Sequence, residues 1–134
     1  MAITLYAARK INDHMNGIAS WTMPSEIWLA LHTGNPTRAG SVANEVSISG
    51  TGYGRIDLSG KLSAADVSTG ICTLTGVINA GPALTDWGLL THFSGHDAET
   101  GGNMLWFGEF SEAQQIVTAQ QFQRVPGQLL INLL

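Results

Sequence analysis

Charge is what this sequence has least of. Only 12% of its 134 residues are Asp, Glu, Lys or Arg, about half of the roughly 25% found in ordinary soluble domains. The six basic residues, Arg9, Lys10, Arg38, Arg55, Lys61 and Arg124, are scattered, and the net charge is −4. A nucleic-acid groove needs several cations on one face, so nucleic acid is excluded as the expected partner. There is one cysteine, Cys72, which rules out an internal disulfide. It sits in the apolar-alternating run Ile71–Leu74 and reads as a small core residue. No basic-then-apolar leader follows Met1, and no apolar run approaches the ~20 residues of a membrane span. The expectation is a protein made and folded in a reducing cytoplasm, with no membrane partner.

Ser, Thr, Asn, Gln and 16 glycines stand where the charge is missing. A neutral surface of that kind suits burial in an assembly. Within it, Trp87 to Phe110 reads as two apolar strands joined by a polar loop ending in Thr100-Gly101-Gly102-Asn103. The second strand carries Met104, Leu105, Trp106 and Phe107 in an unbroken row. Such a row has no polar face to give to water and is expected to be covered on both sides. A small chain rarely covers both by itself, which points to a partner subunit.

The remaining pattern is mainly β. Leu5, Ala8, Ile11, Met15 and Ile18 recur every three or four residues and predict one N-terminal helix, with Thr4 as N-cap and Gly17 as stop. Its apolar stripe is expected to lie on a sheet edge or a neighbouring subunit. Glu26–Thr33 predicts a strand with Ile27, Leu29 and Leu31 on one face and Trp28, Ala30 and His32 on the other. Residues 35–52 form a long polar segment, and segments of that kind tend to be functional or interfacial. Extended segments are predicted at 52–58, at 70–78 with an interruption at Gly76, at 87–93, 104–110, 116–118, 122–125 and 128–134, with 79–82 as a turn. About seven or eight short strands separated by turn signals describe one antiparallel β-sandwich or jelly-roll-like domain over 1–134, with residues 1–20 as a helix or arm.

Chemistry is not legible in the pattern. No two acids sit at a spacing that aims both at one point, as a glycosidase pair would require. His92 and His96 are four apart, a metal spacing on a helix, but here they fall on a strand running into a loop. The two readings are polar residues at element ends and a histidine ring around an oligomer axis that binds a metal or senses pH. Gly50-Thr51-Gly52-Tyr53-Gly54 lacks the third glycine and the following helix of a dinucleotide loop, so its glycines are expected to bend the backbone into a strand. No nucleophile elbow is present. No catalytic residue, metal or cofactor is expected.

Several short pieces, in order, resemble a family of small tailed-bacteriophage virion proteins labelled tail fibre or head decoration proteins. They are Leu5-Tyr6-Ala7-Ala8, Lys10-Ile11 and Asn12-Asp13-His14, then Ile27–Thr33 with Asn35-Pro36-Thr37. Asn44-Glu45-Val46, Gly52-Tyr53-Gly54-Arg55, Asp86-Trp87-Gly88, Gly101–Leu105 and Gly127-Gln128-Leu129 complete the match. The resemblance implies a non-enzymatic, usually trimeric, virion component. The first reading is a capsid decoration or cement trimer that stabilises the head by binding only its assembled state. The alternative is a fibre-tip or receptor-binding module using Tyr53, Trp21 or Trp28 to stack on a sugar; a hydrolase ranks last. Contacts with another copy, the major capsid protein or tail proteins are expected from residues 1–20, 35–52 and 94–103. The residues singled out are Leu5, Ile11, Met15, Asn35, Pro36, Val42, Val46, His92, His96, Met104 and Trp106.

Overall fold

The computed structural model describes residues 1–133. Short β1 (Ala2–Ile3) leads into α1 (Leu5–Met15), the one helix among the described residues. Thr4 caps α1 from an extended conformation, its side chain accepting from the Ala7 N–H, and Gly17 follows the helix with φ +72°. The strands are β2 (Trp28–His32), β3 (Ile56–Asp57), β4 (Cys72–Thr73), β5 (Ile78–Ala80), β6 (Gly88–His96), β7 (Met104–Ile116), β8 (Phe122–Arg124) and β9 (Leu130–Ile131). Five form an antiparallel sheet in the order β1-β7-β6-β2-β3, and β4-β9 and β5-β8 form two ribbons. Leu29, Leu31, Phe93 and Trp106 from the sheet share one core with Leu74, Ile78, Phe122, Leu129 and Ile131 from the ribbon side. The mainly β, antiparallel, sandwich-like fold with one N-terminal helix therefore stands.

Register explains how a Trp fits into the sheet face. Gly95 lies between Leu29 on β2 and Trp106 on β7. A Cβ at Gly95 would stand 2.3 Å from the indole ring, so only glycine leaves room for it. Phe93 then meets Trp106 edge-on at 6.3 Å and Phe110 at 4.9 Å, and Phe110 meets Phe122 at 5.8 Å. The aromatic row runs from the sheet into the β5-β8 ribbon.

Several boundaries differ from the sequence reading. The predicted 70–78 strand is two strands, and β5 continues through Ala80, so the turn begins at Gly81 rather than Asn79. The polar loop of the hairpin is shorter, because β6 reaches His96. Strand β7 runs on to Ile116 through residues with no apolar alternation. The last strand shrinks to Leu130–Ile131, and Leu134, which the sequence placed in it, lies outside the described residues.

The expected cover of the Met104–Phe107 row is present, but this chain supplies it rather than a partner. The row Met104–Phe107 is 5–9% exposed and is covered within this one chain. Both faces are occupied: the core lies on one, and α1 with the 33–46 segment covers the other. The row therefore supplies no reason for a partner. The helix packs against β7, next to the edge strand β1, and most of its apolar stripe is not covered by this chain. Only Ala7 of α1 is buried, while Leu5, Met15 and Ile18 are 55%, 76% and 74% exposed. Thr4 holds the helix start down through bonds to the Met104 and Leu105 carbonyls. The stripe is consequently left on the outside.

Candidate functional site

The three segments read as contact regions meet at one end of the five-stranded sheet. Residues 33–46 leave β2 and return to it: Thr33 N–H donates to the Asn44 carbonyl at 2.9 Å, and Val46 N–H to that of Leu31 at 3.0 Å. Between these anchors the chain crosses toward α1. Leu5 N–H donates to the Arg38 carbonyl at 2.8 Å, and a Cβ on Gly40 would touch the Met104 side chain at 3.3 Å. Asn35 turns the chain by accepting from Thr37 N–H at 2.8 Å, and Pro36 is fully buried. Most of 35–52 lacks strand or helix, but it is pinned by turns rather than loose.

An ion pair ties this loop to the hairpin tip. Arg55 donates from Nε and Nη2 to the two oxygens of Glu45 at 2.8 and 3.0 Å, the bidentate geometry that favours Arg over Lys. Its Nη1 donates to the Ala98 and Gly101 carbonyls at 3.0 and 2.8 Å. The tip closes because Asp97 accepts from the Asn103 backbone and side chain, at 2.6 and 3.0 Å, and Gly101 and Gly102 take φ +62° and +68°. Tyr53 donates its hydroxyl to Glu45 at 2.9 Å and accepts from Leu31 N–H at 3.1 Å. Burial pushes the Glu45 carboxyl up, but the hydrogen bonds and charge of Arg55 outweigh that and hold it below the ordinary carboxylate range. A cavity of about 420 Å³ lies between the joined loops, with Val42 and Ile48 exposed at 52% and 59% beside it.

Beneath this end lies a buried polar row. Ser94 Oγ stands 2.7 Å from His32 Nε2 and 2.9 Å from His96 Nε2. His32 and His96 are 0% and 1% exposed. Burial lowers both imidazoles to about 4. Both histidines do stand at strand ends, the last residues of β2 and β6, but they are buried in the core rather than turned to solvent. Their Nδ1 atoms and Trp28 Nε1 have no hydrogen-bond partner among the described residues.

The predicted contact residues divide. Leu5, Met15, Asn35 and Val42 are exposed, and Ile11 and His92 are half-buried. Pro36, Val46, His96, Met104 and Trp106 are packed inside the chain, so they shape this end without forming its surface. His92 bonds Thr91 through Nδ1 at 2.8 Å. Among the described residues no three His, Cys, Asp or Glu side chains could hold a metal ion together. The aromatic cluster suggested for sugar stacking does not form: Tyr53 is buried edge-on against Trp87 at 5.6 Å, and Trp21 and Trp28 are half-buried. Sequence reasoning missed the Glu45–Arg55 clamp. Both residues lay in quoted motifs, but nothing local marks a pair ten residues apart.

No curated protein matches the chain, and no helix among the described residues is long and apolar enough to cross a membrane. A family model described as Podophage GP4 fiber I protein gp80 matches residues 2–132. With helix, loop end and both ribbons all inside that match, the chain belongs to this family and is a virion protein of a tailed bacteriophage.

Proposed function

We propose that this protein is a non-enzymatic fibre subunit, assembled as a homotrimer, that attaches to neighbouring virion proteins through the end of the sheet built by α1, the 33–55 segment and the hairpin tip. The observation that carries the fibre reading is the match of residues 2–132 to a podophage fibre protein family. It favours the fibre over the capsid decoration role that the low charge and long loop first suggested. The geometry supports attachment at this end. Arg55, paired with Glu45, ties the 33–55 segment to the hairpin tip through the Ala98 and Gly101 carbonyls, Leu5 N–H ties α1 to the Arg38 carbonyl, and Leu5, Val42 and Ile48 are left exposed on these segments. A rigid, weakly charged surface loses little conformational entropy on docking.

Cryo-electron microscopy of virions with antibody against this protein tests the assignment. Density on tail-attached fibres is the expected result. Labelling spread over the head at three-fold positions would return the protein to the decoration class.

A further inference from the structure

A second depression, of about 740 Å³, shares no residue with the loop end and is built by an irregularity in the central hairpin. Leu90 stands opposite Gln114 and His92 opposite Glu109. Only Thr91 separates the first members, whereas Phe110, Ser111, Glu112 and Ala113 separate the second. These four residues leave the ladder and form one wall. Large bulges re-aim side chains and gather beside functional sites.

Arg124 projects from β8 into the space so formed. Its guanidinium lies 4.4 Å from the Phe122 ring centroid and 5.1 Å from that of Phe110. Nη1 donates to Gln114 Oε1 and to the Gln123 carbonyl, both at 2.9 Å. Nε and Nη2 have no partner among the described residues, yet they are not sealed from solvent. No carboxylate pairs with Arg124 there either, and burial alone lowers its pKa. A half-buried cation, fixed by two rings and one amide and left without a counter-ion, presents a preorganised fork for an oxyanion. Around it, Glu109 and Glu112 are exposed and have no hydrogen-bond or ion-pair partner among the described residues. Free carboxylates, a Ser hydroxyl and bulge backbone are acceptors and donors for hydroxyl groups. The carboxylates repel a polyanion, and Phe93, Phe110, Leu129 and Leu130 supply the apolar part of the lining.

We propose that this groove binds a saccharide carrying one oxyanionic group, a carboxylate or a phosphate, per bound unit: the anion sits on Nε and Nη2 of Arg124 and the sugar hydroxyls meet Glu109, Glu112 and the 110–113 bulge. The volume suits such a ligand, since small-molecule sites run from about 300 to 1,000 Å³.

Calorimetric titration of the full-length protein with galacturonic acid, its methyl ester, glucose 6-phosphate and a triglutamate peptide tests this site independently of where the protein sits in the virion. Galacturonic acid is expected to bind about tenfold more tightly than its ester. Binding by glucose 6-phosphate instead, with the same dependence on Arg124, would identify phosphate as the anion. Arg124→Gln should abolish binding, and Arg124→Lys, which keeps the charge but loses the fork, should weaken it. Glu112→Gln, at an exposed position, should weaken it severalfold with an unchanged melting temperature, so the test survives if Arg124→Gln fails to fold. Equal affinity for acid and ester, binding unaffected by Arg124→Lys and Glu112→Gln, a preference for triglutamate, or no binding by either anionic sugar would overturn the proposal.

Discussion

Ser94 has one hydroxyl proton to share between two imidazole nitrogens. It donates to one Nε2 and accepts from the other, which must carry hydrogen. One of His32 and His96 is therefore the Nε2–H tautomer and the other the Nδ1–H tautomer; protonating the latter removes the acceptor for the Ser94 hydroxyl, and protonating the former adds a buried Nδ1–H with no partner among the described residues. Burial is the main cause of both lowered pKa values; Arg55 pushes the same way, Glu45 opposes it, and His92 and Asp97 add smaller effects at His32 and His96 respectively. In the unfolded chain both histidines would titrate near 6.5, so between 6.5 and about 4 the unfolded state binds more protons than the folded one. Stability is then full above 6.5 and falls as pH drops toward 4, by on the order of 3 kcal/mol for each histidine. Glu45, held low in the fold, adds a further loss below its ordinary value. Urea denaturation between pH 7.5 and 4 should show this decline, and His96→Gln should flatten it. A constant midpoint across that window would contradict the neutral buried pair. At Arg55 the side chain is only 6% exposed, and its removal strands a buried carboxylate. Arg55→Ala should cost about 3 kcal/mol, whereas Glu45→Gln with Arg55→Gln together should cost less, measured by the same denaturation.

At the scale of elements, legibility followed locality. The α1 cap and stop, the β2 strand and the apolar start of β7 were readable because each is decided by residues within a few positions of one another. The glycines of 50–54 also behave as read, with Gly50 and Gly52 at φ +71° and +75°. What was not readable depends on the opposite strand. The bulge at 110–113 exists only relative to Thr91, and β7 continues beyond it without alternation because it follows β6. The helix periodicity identifies an apolar face but not what lies against it; Thr4, bonded to β7, sets the helix with Ala7 inward. Gly95 is the clearest case of cross-strand dependence. Gly95→Ala would drive a Cβ into the Trp106 ring and should cost 1–3 kcal/mol or more through overpacking. Pairing it with Trp106→Leu should recover part of that loss in thermal denaturation. Additive losses would mean that the ring is not what excludes the methyl.

For the whole molecule, the burial of Met104–Phe107 changes where an assembly has to be sought. The Met104–Phe107 row is buried in one chain, so a contact surface has to lie on the outside; exposed apolar side chains occur on and just after α1 and at the loop end (Leu5, Met15, Ile18, Val42 and Ile48) as well as elsewhere, for example Val67 and Leu84. Substitutions there touch no core neighbour and should leave stability within about 0.5 kcal/mol of the parent, which separates assembly from folding. Light scattering of the purified protein should give a mass three times that of one chain. Val42→Glu with Ile48→Glu should keep the melting temperature and abolish incorporation into virions, while Met15→Glu with Ile18→Glu reports on the helix face. If the loop pair alone stops incorporation and the helix pair alone breaks the trimer, then the chain divides its exterior into an attachment end and a self-association face. A monomer that incorporates normally with both pairs changed would remove the loop end and the stripe from the assembly together, leaving the groove around Arg124 as the surface still to be explained.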